Sequence, residues 1–405
     1  MMNRRHALLA GSFLAFTGSA EAAAPRRAGN ARGGHNAPES APSVPATDTP
    51  VGPYATAAKW AFVTDFNTGT TLLDKDADAP MAPSSMTKLM TAYLVYSQLK
   101  AGKLRLDQDL SVSDKAWRTG GSKMFVPQGG TVKVEDLIRG MIIQSGNDAC
   151  IVLAEGIAGS EEQFVEQMNA KARELGLSNT SYRNCTGLPD SGQLSTCRDI
   201  AHLAKRIILD FPEYYAYDNE KSFKYNNISQ ENRNPLVQKG MADGLKTGHT
   251  DAGGFGLVAS AQRGGRRVVL VVNGCTSMHQ RSEESVRLLE WSFSQFENVT
   301  LFTAGDTVDN ARVWLGTHPT VPLVGGRDLV LTLPRSWRQT AKISVEFPSP
   351  VAAPVSRGDV LGKLSVSGQG VPPMDIPLLA GADVPRLGLP GRALSVLSRY
   401  TVGGS

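Results

Sequence analysis

Apolar residues recur every three or four positions in six stretches of the chain, the spacing that lets a helix bury one face against a core. In one stretch Ile200 and Leu203 share such a face. Another stretch follows Pro83 and two serines, which is a typical helix start, so we predict a helix beginning at Ser84 or Ser85. The other predicted helices cover residues 134–144, 148–157, 160–175, 196–210 and 280–296.

Strands are predicted on both sides of this helical part, where apolar and polar residues alternate or short apolar runs are bounded by Gly. The first two runs flank a short polar turn and indicate a β-hairpin. We therefore predict an α+β domain over residues 57–297 in which the hairpin and the late strands share one sheet. The predicted strands are residues 59–65 and 70–73 before the helices, and 245–250, 256–261 and 267–273 after them.

The pattern changes after Glu297, where helical spacing disappears and short alternating runs are separated by Gly and Pro. Residues 328–333 and 342–347 are two such runs. This arrangement is typical of a compact all-β fold. We predict a small all-β sandwich domain over residues 298–382.

Both ends of the chain fall outside these two domains. Residues 1–24 combine a basic start, a short apolar run and small-residue cleavage sites, which predicts a signal peptide and a periplasmic protein. Residues 25–56 are rich in Pro, Gly, Ala, Ser and Thr and predict a disordered linker. Residues 383–405 carry a faint amphipathic pattern, which indicates either a frayed end or a weak peripheral anchor on the outer face of the inner membrane.

Charge and cysteine content argue against a nucleic-acid-binding protein and against a cysteine metal site. The formal net charge of +4 is small for 405 residues, and no basic stripe or binding fingerprint predicts a nucleic-acid partner. Cys150, Cys185, Cys197 and Cys275 lack the paired spacing of a metal site, and we expect neither a metal nor a cofactor. Cys185 and Cys197 bracket one loop, and the sequence leaves open whether they form a disulfide.

The first predicted helix carries a candidate nucleophile and base. Ser85 and Lys88 are three residues apart and share a face, so the amine can lie beside the hydroxyl. The free amide groups and positive end of a helix N-terminus also suit an oxyanion formed on a carbonyl attacked by the serine. Ser97 and Lys100 repeat the spacing past the middle of the helix, where no free amides remain, so only the first pair is a candidate.

Two further motifs follow this pair in the chain. The three motifs are Ser85-Met86-Thr87-Lys88, Ser145-Gly146-Asn147 and Lys246-Thr247-Gly248. Their order and local context resemble the penicillin-binding-protein and serine β-lactamase superfamily, in which an Asp can stand in place of Gly146. With its glycine form of the middle motif and its trailing β domain, the chain is similar to low-molecular-mass D-alanyl-D-alanine carboxypeptidases over roughly residues 55–385. The resemblance implies a β-lactamase/penicillin-binding transpeptidase-like catalytic domain.

The resemblance implies a serine acyl transfer on peptidoglycan stem peptides, with β-lactam antibiotics as acylating inhibitors. Ser85 would attack the carbonyl between the two terminal D-alanines, and water would hydrolyse the acyl-enzyme. Lys88 must be neutral to accept the proton, yet at an ordinary lysine pKa only about one molecule in two thousand is neutral at pH 7. Burial and a nearby cation, for which Lys246 is the candidate, would lower its pKa. Ser145 would relay the proton to the leaving amine.

Substrate-binding roles also follow from the resemblance. Asn147 would hold the substrate amide and the side chain of the base. Lys246 and Thr247 would bind the terminal carboxylate, and Gly248 would let the ligand lie against the strand. The backbone amide of His249 would complete the oxyanion hole with that of the nucleophile.

Four other positions are interpreted by analogy with relatives. Arg281 matches by position an arginine near the carboxylate end of the site. Asp210 and Arg233 resemble a buried supporting ion pair. Thr186 stands where some relatives carry a histidine, a departure that could change deacylation.

Three alternatives compete with the carboxypeptidase interpretation. A D,D-endopeptidase would use the same residues on cross-linked peptides. A β-lactamase is disfavoured because no glutamate motif is convincingly placed to activate a deacylating water. A catalytically silent wall-binding or scaffold protein is disfavoured by the intact Ser85, Lys88, Ser145 and Lys246.

Overall fold

The computed structural model describes residues 44–393, which form one compact unit. The predicted signal peptide lies outside the described residues, and so do residues 25–43 of the predicted linker and residues 394–405 of the predicted tail. Within the described part of the chain, no helix combines the length and apolar character needed to cross a membrane.

The helices and strands follow one another in an α+β order. The first half contains β1 Ala46–Thr47, β2 Tyr54–Ala55, β3 Trp60–Asp65, β4 Thr71–Lys75, a 3₁₀ turn Ser84–Thr87, α1 Lys88–Lys100, β5 Asp109–Ser111, α2 Asp114–Arg118, β6 Thr131–Lys133, α3 Val134–Ile143, α4 Asn147–Ala158, α5 Glu161–Glu174, α6 Cys197–Asp210, α7 Pro212–Tyr215 and a 3₁₀ turn Ala216–Asn219. The second half contains β7 Ser222–Tyr225, β8 Ile228–Glu231, α8 Pro235–Gln238, β9 Gly244–Thr250, β10 Gly254–Arg263, β11 Arg266–Cys275, α9 Met278–Gln295, β12 Phe296–Phe302, β13 Thr307–Trp314, β14 Thr320–Gly325, β15 Leu329–Pro334, α10 Trp337–Thr340, β16 Lys342–Glu346, β17 Val351–Ala352, β18 Val360–Gly368 and β19 Val371–Ala380.

A five-stranded antiparallel sheet in the order β4-β3-β11-β10-β9 divides the first part of the molecule. Successive side chains of a strand point to opposite faces, so Val269 and Val271 enter one core while Val268 and Leu270 enter another. The helical cluster, including α1 and α6, covers the first face, and α9 covers the second. The prediction that the hairpin and the late strands share one sheet is confirmed.

The region after α9 is built almost entirely of strands. A six-stranded sheet, β16-β18-β19-β14-β13-β17, packs with the β12-β15 pair around a third core. Phe302 and Leu333 contribute to this core from the pair, and Leu323, Leu364 and Leu378 contribute from the larger sheet. The expected mixed domain followed by a β domain is the observed fold class.

A short hydrogen-bonded chain joins the two regions. The Asn298 side chain donates to Asp65 Oδ1, 3.3 Å away, and accepts from the Thr332 hydroxyl at 2.8 Å. The Thr332 hydroxyl also contacts that of Thr68, in the β3–β4 turn. The turn of the first hairpin therefore rests directly on the β region.

The structure corrects the end of the predicted linker. Residues 44–56 are ordered, because β1 and β2 pair with each other and both contact the rest of the molecule. Thr47 Oγ1 donates to the Asp74 carbonyl at 3.0 Å, and the Tyr54 ring lies 4.7 Å from that of Trp291. Composition predicted disorder because this segment has few large apolar side chains, but it is held by hydroxyl and backbone hydrogen bonds and by the packing of Val51 and Tyr54 on the second core.

The four cysteines are buried and free. Cys185 Sγ donates to Glu161 Oε1 at 3.3 Å, whereas Cys197 Sγ lies 3.8 Å from Met81 Sδ. The pairing that the sequence left open is therefore not made in this structure.

Candidate active site

The candidate nucleophile lies in the 3₁₀ turn immediately before α1, so the helix start predicted at Ser84 or Ser85 is a tighter turn that becomes α-helical at Lys88. Lys88 Nζ lies 3.0 Å from Ser85 Oγ, within hydrogen-bonding distance. Lys88 is 1% exposed, which is unusual for a lysine. The three-residue spacing therefore brings the amine to the hydroxyl, as predicted.

Burial is the largest cause that lowers the pKa of Lys88, because an ammonium loses its hydration in the interior. The positive charge of Arg233 lowers it further, while the negative charge of Asp148 opposes the shift. Lys246 is also buried, and its pKa is lowered first by burial and then by the charge of Lys88. The cation that lowers the pKa of Lys88 is therefore Arg233, whereas the sequence analysis expected Lys246 in this role.

The Lys88 amine is held by two further acceptors. Its Nζ donates to Asn147 Oδ1 at 2.7 Å and to the Thr186 carbonyl. Because the contact from position 186 is made by the backbone, it does not depend on the histidine-to-threonine departure noted above. Asn147 therefore contacts the candidate base, which is one of the two roles expected of it.

The middle motif is shaped by close packing at the start of α4. Ser145 has a left-handed backbone, with φ of 62°, and is 2% exposed. A Cβ at Gly146 would lie 2.9 Å from Asp148 Oδ1 and 3.2 Å from the Met124 amide nitrogen. Glycine is therefore the residue that fits between these two groups without a shift of the chain.

Asp148 and Asn147 fasten the loop over residues 120–126 to this motif. Asp148 Oδ1 accepts from the Met124 amide at 2.9 Å, and Oδ2 accepts from the Phe125 amide at 2.8 Å. Asn147 Nδ2 donates to the Gly120 carbonyl at 2.8 Å. The loop wall of the site is thus fixed by hydrogen bonds to the residues that follow Ser145.

The third motif lies on β9, at the edge of the five-stranded sheet. Lys246 and Thr247 are buried, at 3% and 5% exposure. A Cβ at Gly248 would lie 3.1 Å from the Pro83 carbonyl oxygen and 3.2 Å from the Ser85 amide nitrogen, so glycine allows β9 to approach the nucleophile turn. Within residues 44–393, β9 pairs only with β10, which leaves its other edge available for an extended ligand.

The three motifs meet in one cavity of about 440 Å³. Arg281 reaches this cavity from the first turn of α9, and the His249 ring stacks on the Phe255 ring at 3.9 Å between centroids. Burial lowers the pKa of Arg281, and its Nε has no hydrogen-bond partner among the described residues. The cavity is lined by Ser85, Ser122, Ser145, Arg233, Thr247, Gly248, His249, Phe255, Met278 and Arg281.

The expected ion pair between Asp210 and Arg233 is not formed. Asp210 pairs with Arg206 at 2.9 Å and accepts from the Tyr93 hydroxyl at 2.7 Å. Arg233 instead enters the cavity, where its Nη1 donates to Ser122 Oγ at 2.6 Å. No sequence pattern placed Arg233 in the site, because its partner Ser122 is 111 residues away.

Sequence reasoning also missed Ser122, Phe255 and Met278 as cavity residues. The run Gly120-Gly121-Ser122 was a usable signal for the first, since consecutive glycines allow a close backbone approach. Phe255 and Met278 look like ordinary core positions in the sequence. Their place in the site depends on how β10 and α9 meet β9.

A larger cavity, of about 1020 Å³, lies at the junction of the two regions and contains none of the predicted site residues. It is bordered by the β3–β4 turn, the β10–β11 turn and the start of β15. Its walls mix Arg263 and Arg327 with Glu297 and Asp328. Cavity size alone therefore does not identify the candidate active site.

The site defines a class of serine acyl-transfer enzyme. It combines a serine hydroxyl within reach of a buried lysine, a second serine and an amide side chain beside them, and an edge strand with a further lysine. No group of three or more His, Cys, Asp or Glu side chains among the described residues could hold a metal ion.

Comparison with known proteins places the chain within this class. Residues 46–277 match the model of the peptidase S11 family, described as D-alanyl-D-alanine carboxypeptidase, and residues 296–386 match the C-terminal domain of penicillin-binding protein 5. The protein belongs to the D-alanyl-D-alanine carboxypeptidase family. It is 40% identical to D-alanyl-D-alanine carboxypeptidase DacC of Escherichia coli K12 over 86% of this chain and 89% of that protein, and 37% identical to DacA over 79% and 82%.

Solved structures show the same similarity. The D-alanyl-D-alanine carboxypeptidase DacD of Francisella tularensis superposes with a TM-score of 0.74 at 32% identity, covering 82% of this chain and 95% of that one. Penicillin-binding protein 5 of Haemophilus influenzae superposes with a TM-score of 0.71 at 36% identity, covering 82% and 99%. The resemblance stated from the three motifs is confirmed at the level of family and fold.

Proposed function

We propose that this protein is a serine-type carboxypeptidase that removes the terminal D-alanine from peptidoglycan stem pentapeptides. The observation that carries the proposal is the 3.0 Å contact between the buried Lys88 amine and the Ser85 hydroxyl. A serine is a weak nucleophile unless a neighbouring base accepts its proton. Family membership supports the choice of bond, and this contact supports Ser85 and Lys88 as the groups that break it.

In the first step, neutral Lys88 takes the proton of Ser85 as Oγ attacks the carbonyl between the two terminal D-alanines. The carbon–nitrogen bond then breaks, and the leaving amine receives a proton through Ser145. This leaves an acyl-enzyme on Ser85. Water attacks the ester, a proton returns to Oγ, and the shortened peptide leaves with a new carboxylate.

The substrate's terminal carboxylate faces Lys246, Thr247 and Arg281. In the free enzyme burial and mutual repulsion lower the pKa of Lys246, and a bound carboxylate reverses this by supplying the missing counter-charge. Terminal-carboxylate binding therefore favours the charged form of Lys246.

The remaining contacts hold the scissile bond. The substrate backbone lies along the free edge of β9, which Gly248 allows to pack close to the turn that carries Ser85. The backbone N–H groups of Ser85 and His249 form the oxyanion hole, and Asn147 holds the substrate amide. β-Lactams acylate the same serine.

The chain is further proposed to divide into a catalytic domain that ends at residue 297 and includes the ordered residues 44–56, and a β-sandwich domain, residues 298–382. Its location is the periplasm, after export on the signal peptide of residues 1–24, with peripheral contact to the inner membrane through residues 383–405. Basic and apolar residues of the kind found in interfacial helices support that contact.

The test is release of D-alanine from a pentapeptide ending in D-Ala-D-Ala, with Ser85→Ala as the matched control. We expect release by the native protein and none by the variant, which should also fail to bind labelled penicillin covalently. If labelled penicillin acylates Ser85 but no D-alanine appears, the site is competent for another bond, and cleavage of cross-linked peptides takes the place of the carboxypeptidase reaction.

A further inference from the structure

A second cavity, of about 310 Å³, lies against the nucleophile turn and is distinct from the catalytic cavity. Its walls are mainly apolar, from Pro83, Leu188, Pro189 and Ala252. The exposed carboxylate of Asp190 is part of the same lining. A cavity of this composition suits a side chain with an aliphatic stem and a positively charged end.

The position of this cavity along β9 relates it to the substrate. Thr247 lines the catalytic cavity, and Thr250, three residues further along the strand, lines the second one. Three strand residues span about 10 Å, which is also the span of three residues of an extended peptide. A peptide whose C-terminal residue lies at Thr247 and which runs antiparallel to β9 therefore brings its third residue from the C-terminus alongside His249, next to Thr250.

The nucleophile turn connects the two cavities. Gly187, which lines the second cavity, packs so closely that a Cβ there would lie 1.9 Å from the Ser84 carbonyl oxygen. Ser84 Oγ in turn contacts Thr250 Oγ1 at 2.8 Å. A ligand in the second cavity thus lies directly beside the residue that precedes the nucleophile.

Hydrogen bonds made by Gln193 and Gly192 hold the loop that carries Asp190 in place. Gln193 is 3% exposed, accepts from the Arg183 amide at 2.7 Å and donates to the Thr87 hydroxyl at 3.0 Å. Asp190 Oδ1 accepts from the Gly192 amide at 2.9 Å. No lysine or arginine among residues 44–393 forms an ion pair with Asp190, so its charge is available to a ligand.

We propose that this cavity binds the third residue of the stem peptide and that Asp190 recognises the cationic end of a diamino-acid side chain there. The inference rests on the proposed function, because it requires a stem peptide bound along β9. It names Asp190 as a specificity residue, not a catalytic one, since its carboxylate lines a cavity separate from that of the reacting groups.

The test compares two pentapeptides that differ only at the third residue. One carries L-lysine with a free amine, and the other carries Nε-acetyl-L-lysine. We expect the native protein to show a kcat/KM about two- to fivefold higher for the free amine, the range of an exposed ion pair. Asp190→Asn should abolish this preference while keeping the acceptor of the Gly192 amide, and Asp190→Lys should reverse it.

Asp251 provides the matched control, because it is an exposed carboxylate next to Thr250 that does not line the cavity. Asp251→Asn should keep the preference. Acylation by benzylpenicillin, which has no cationic side chain, should be unchanged in Asp190→Asn and reports that the variant is folded.

Three outcomes overturn the inference. If the native protein cleaves the two peptides at equal rates, the cavity does not recognise the third residue, but the proposed carboxypeptidase function is unaffected. A preference that survives Asp190→Asn, or is lost equally in Asp251→Asn, assigns recognition to other groups. Absence of D-alanine release from both peptides removes the proposed function and the inference with it.

Discussion

The two regions of this molecule differ in where their ionisable side chains lie: several are buried in the first region, and those of the second lie at the surface. In the first region Lys88, Lys246, Asp148 and Arg281 are each less than 8% exposed. From Phe296 onward, within the described residues, Thr332 is the only buried polar side chain, and that region's ion pairs lie at the surface.

This difference distinguishes the first region, which holds the candidate active site, from the β region, whose buried side chains mainly pack. Burying an ionisable group costs free energy, and groups with strongly shifted pKa values, such as Lys88 and Lys246, cluster at sites where a reaction uses them. The β region could exchange many surface residues without changing its core. The first region depends on a few atoms at fixed separations, and three experiments test this difference between the two regions.

The largest effect is expected at Gly187, where a Cβ would meet the Ser84 carbonyl and the Ser85 amide. Gly187→Ala should displace the nucleophile turn and slow acylation by labelled penicillin by about a hundredfold, the scale of a 1 Å misplacement. Gly176→Ala is the control, because its φ of 74° is also left-handed but its Cβ meets open space. Near-native acylation in Gly187→Ala would contradict the packing argument.

An intermediate effect is expected from Arg233, whose positive charge helps to lower the pKa of Lys88. Lys88 acts as a base only when neutral, so acylation rises with pH through this pKa. Arg233→Gln removes the charge, so the pKa rises and the rate curve should move to higher pH, with slower acylation at neutral pH.

The pH dependence of acylation measures this shift, and Arg233→Lys should restore most of the original curve because it keeps the charge. A curve that stays in place in Arg233→Gln would show that burial alone sets the protonation of the base. A uniform loss of rate at every pH would instead indicate a binding role for Arg233.

The smallest effect on catalysis is expected at the junction of the two regions. Thr332→Val removes the hydroxyl that contacts Asn298 and Thr68, and should lower the free energy of unfolding in urea by about 1 kcal/mol. Acylation should be unchanged. Thr300→Val, at an exposed position of β12, is the control and should have little effect on either quantity. A loss of acylation in Thr332→Val would show that the β region acts on the site.

Long periodic elements were predictable because one face of each is buried. The predicted helix over residues 134–144 is α3, and the late strands are β9, β10 and β11 with ends shifted by at most two residues. The short helices α2 and α10 and the hairpin β7–β8 were missed. Each strand of that hairpin has four residues and no fully buried side chain, so the alternation in β7 is too short to stand out in the sequence.

The three motifs could be read from the sequence because each is a short local run, and the structure brings them into one cavity. Most of the other residues that line the cavity could not be predicted from the sequence, because their positions depend on contacts between distant parts of the chain. Asp148 holds Met124 across 24 positions, and Arg233 meets Ser122 across 111. No local pattern encodes such pairings.

The ordered segment before β3 sets a practical limit on how far the chain can be shortened. Thr56 Oγ1 donates to Glu284 at 2.6 Å, and Arg287 Nη2 donates to the Ala55 carbonyl. A cut after residue 56 would leave Glu284 buried without the Thr56 hydroxyl and would uncover Trp291. An expressed fragment should therefore start at Val44, because a start at residue 57 would already remove a piece of the folded body.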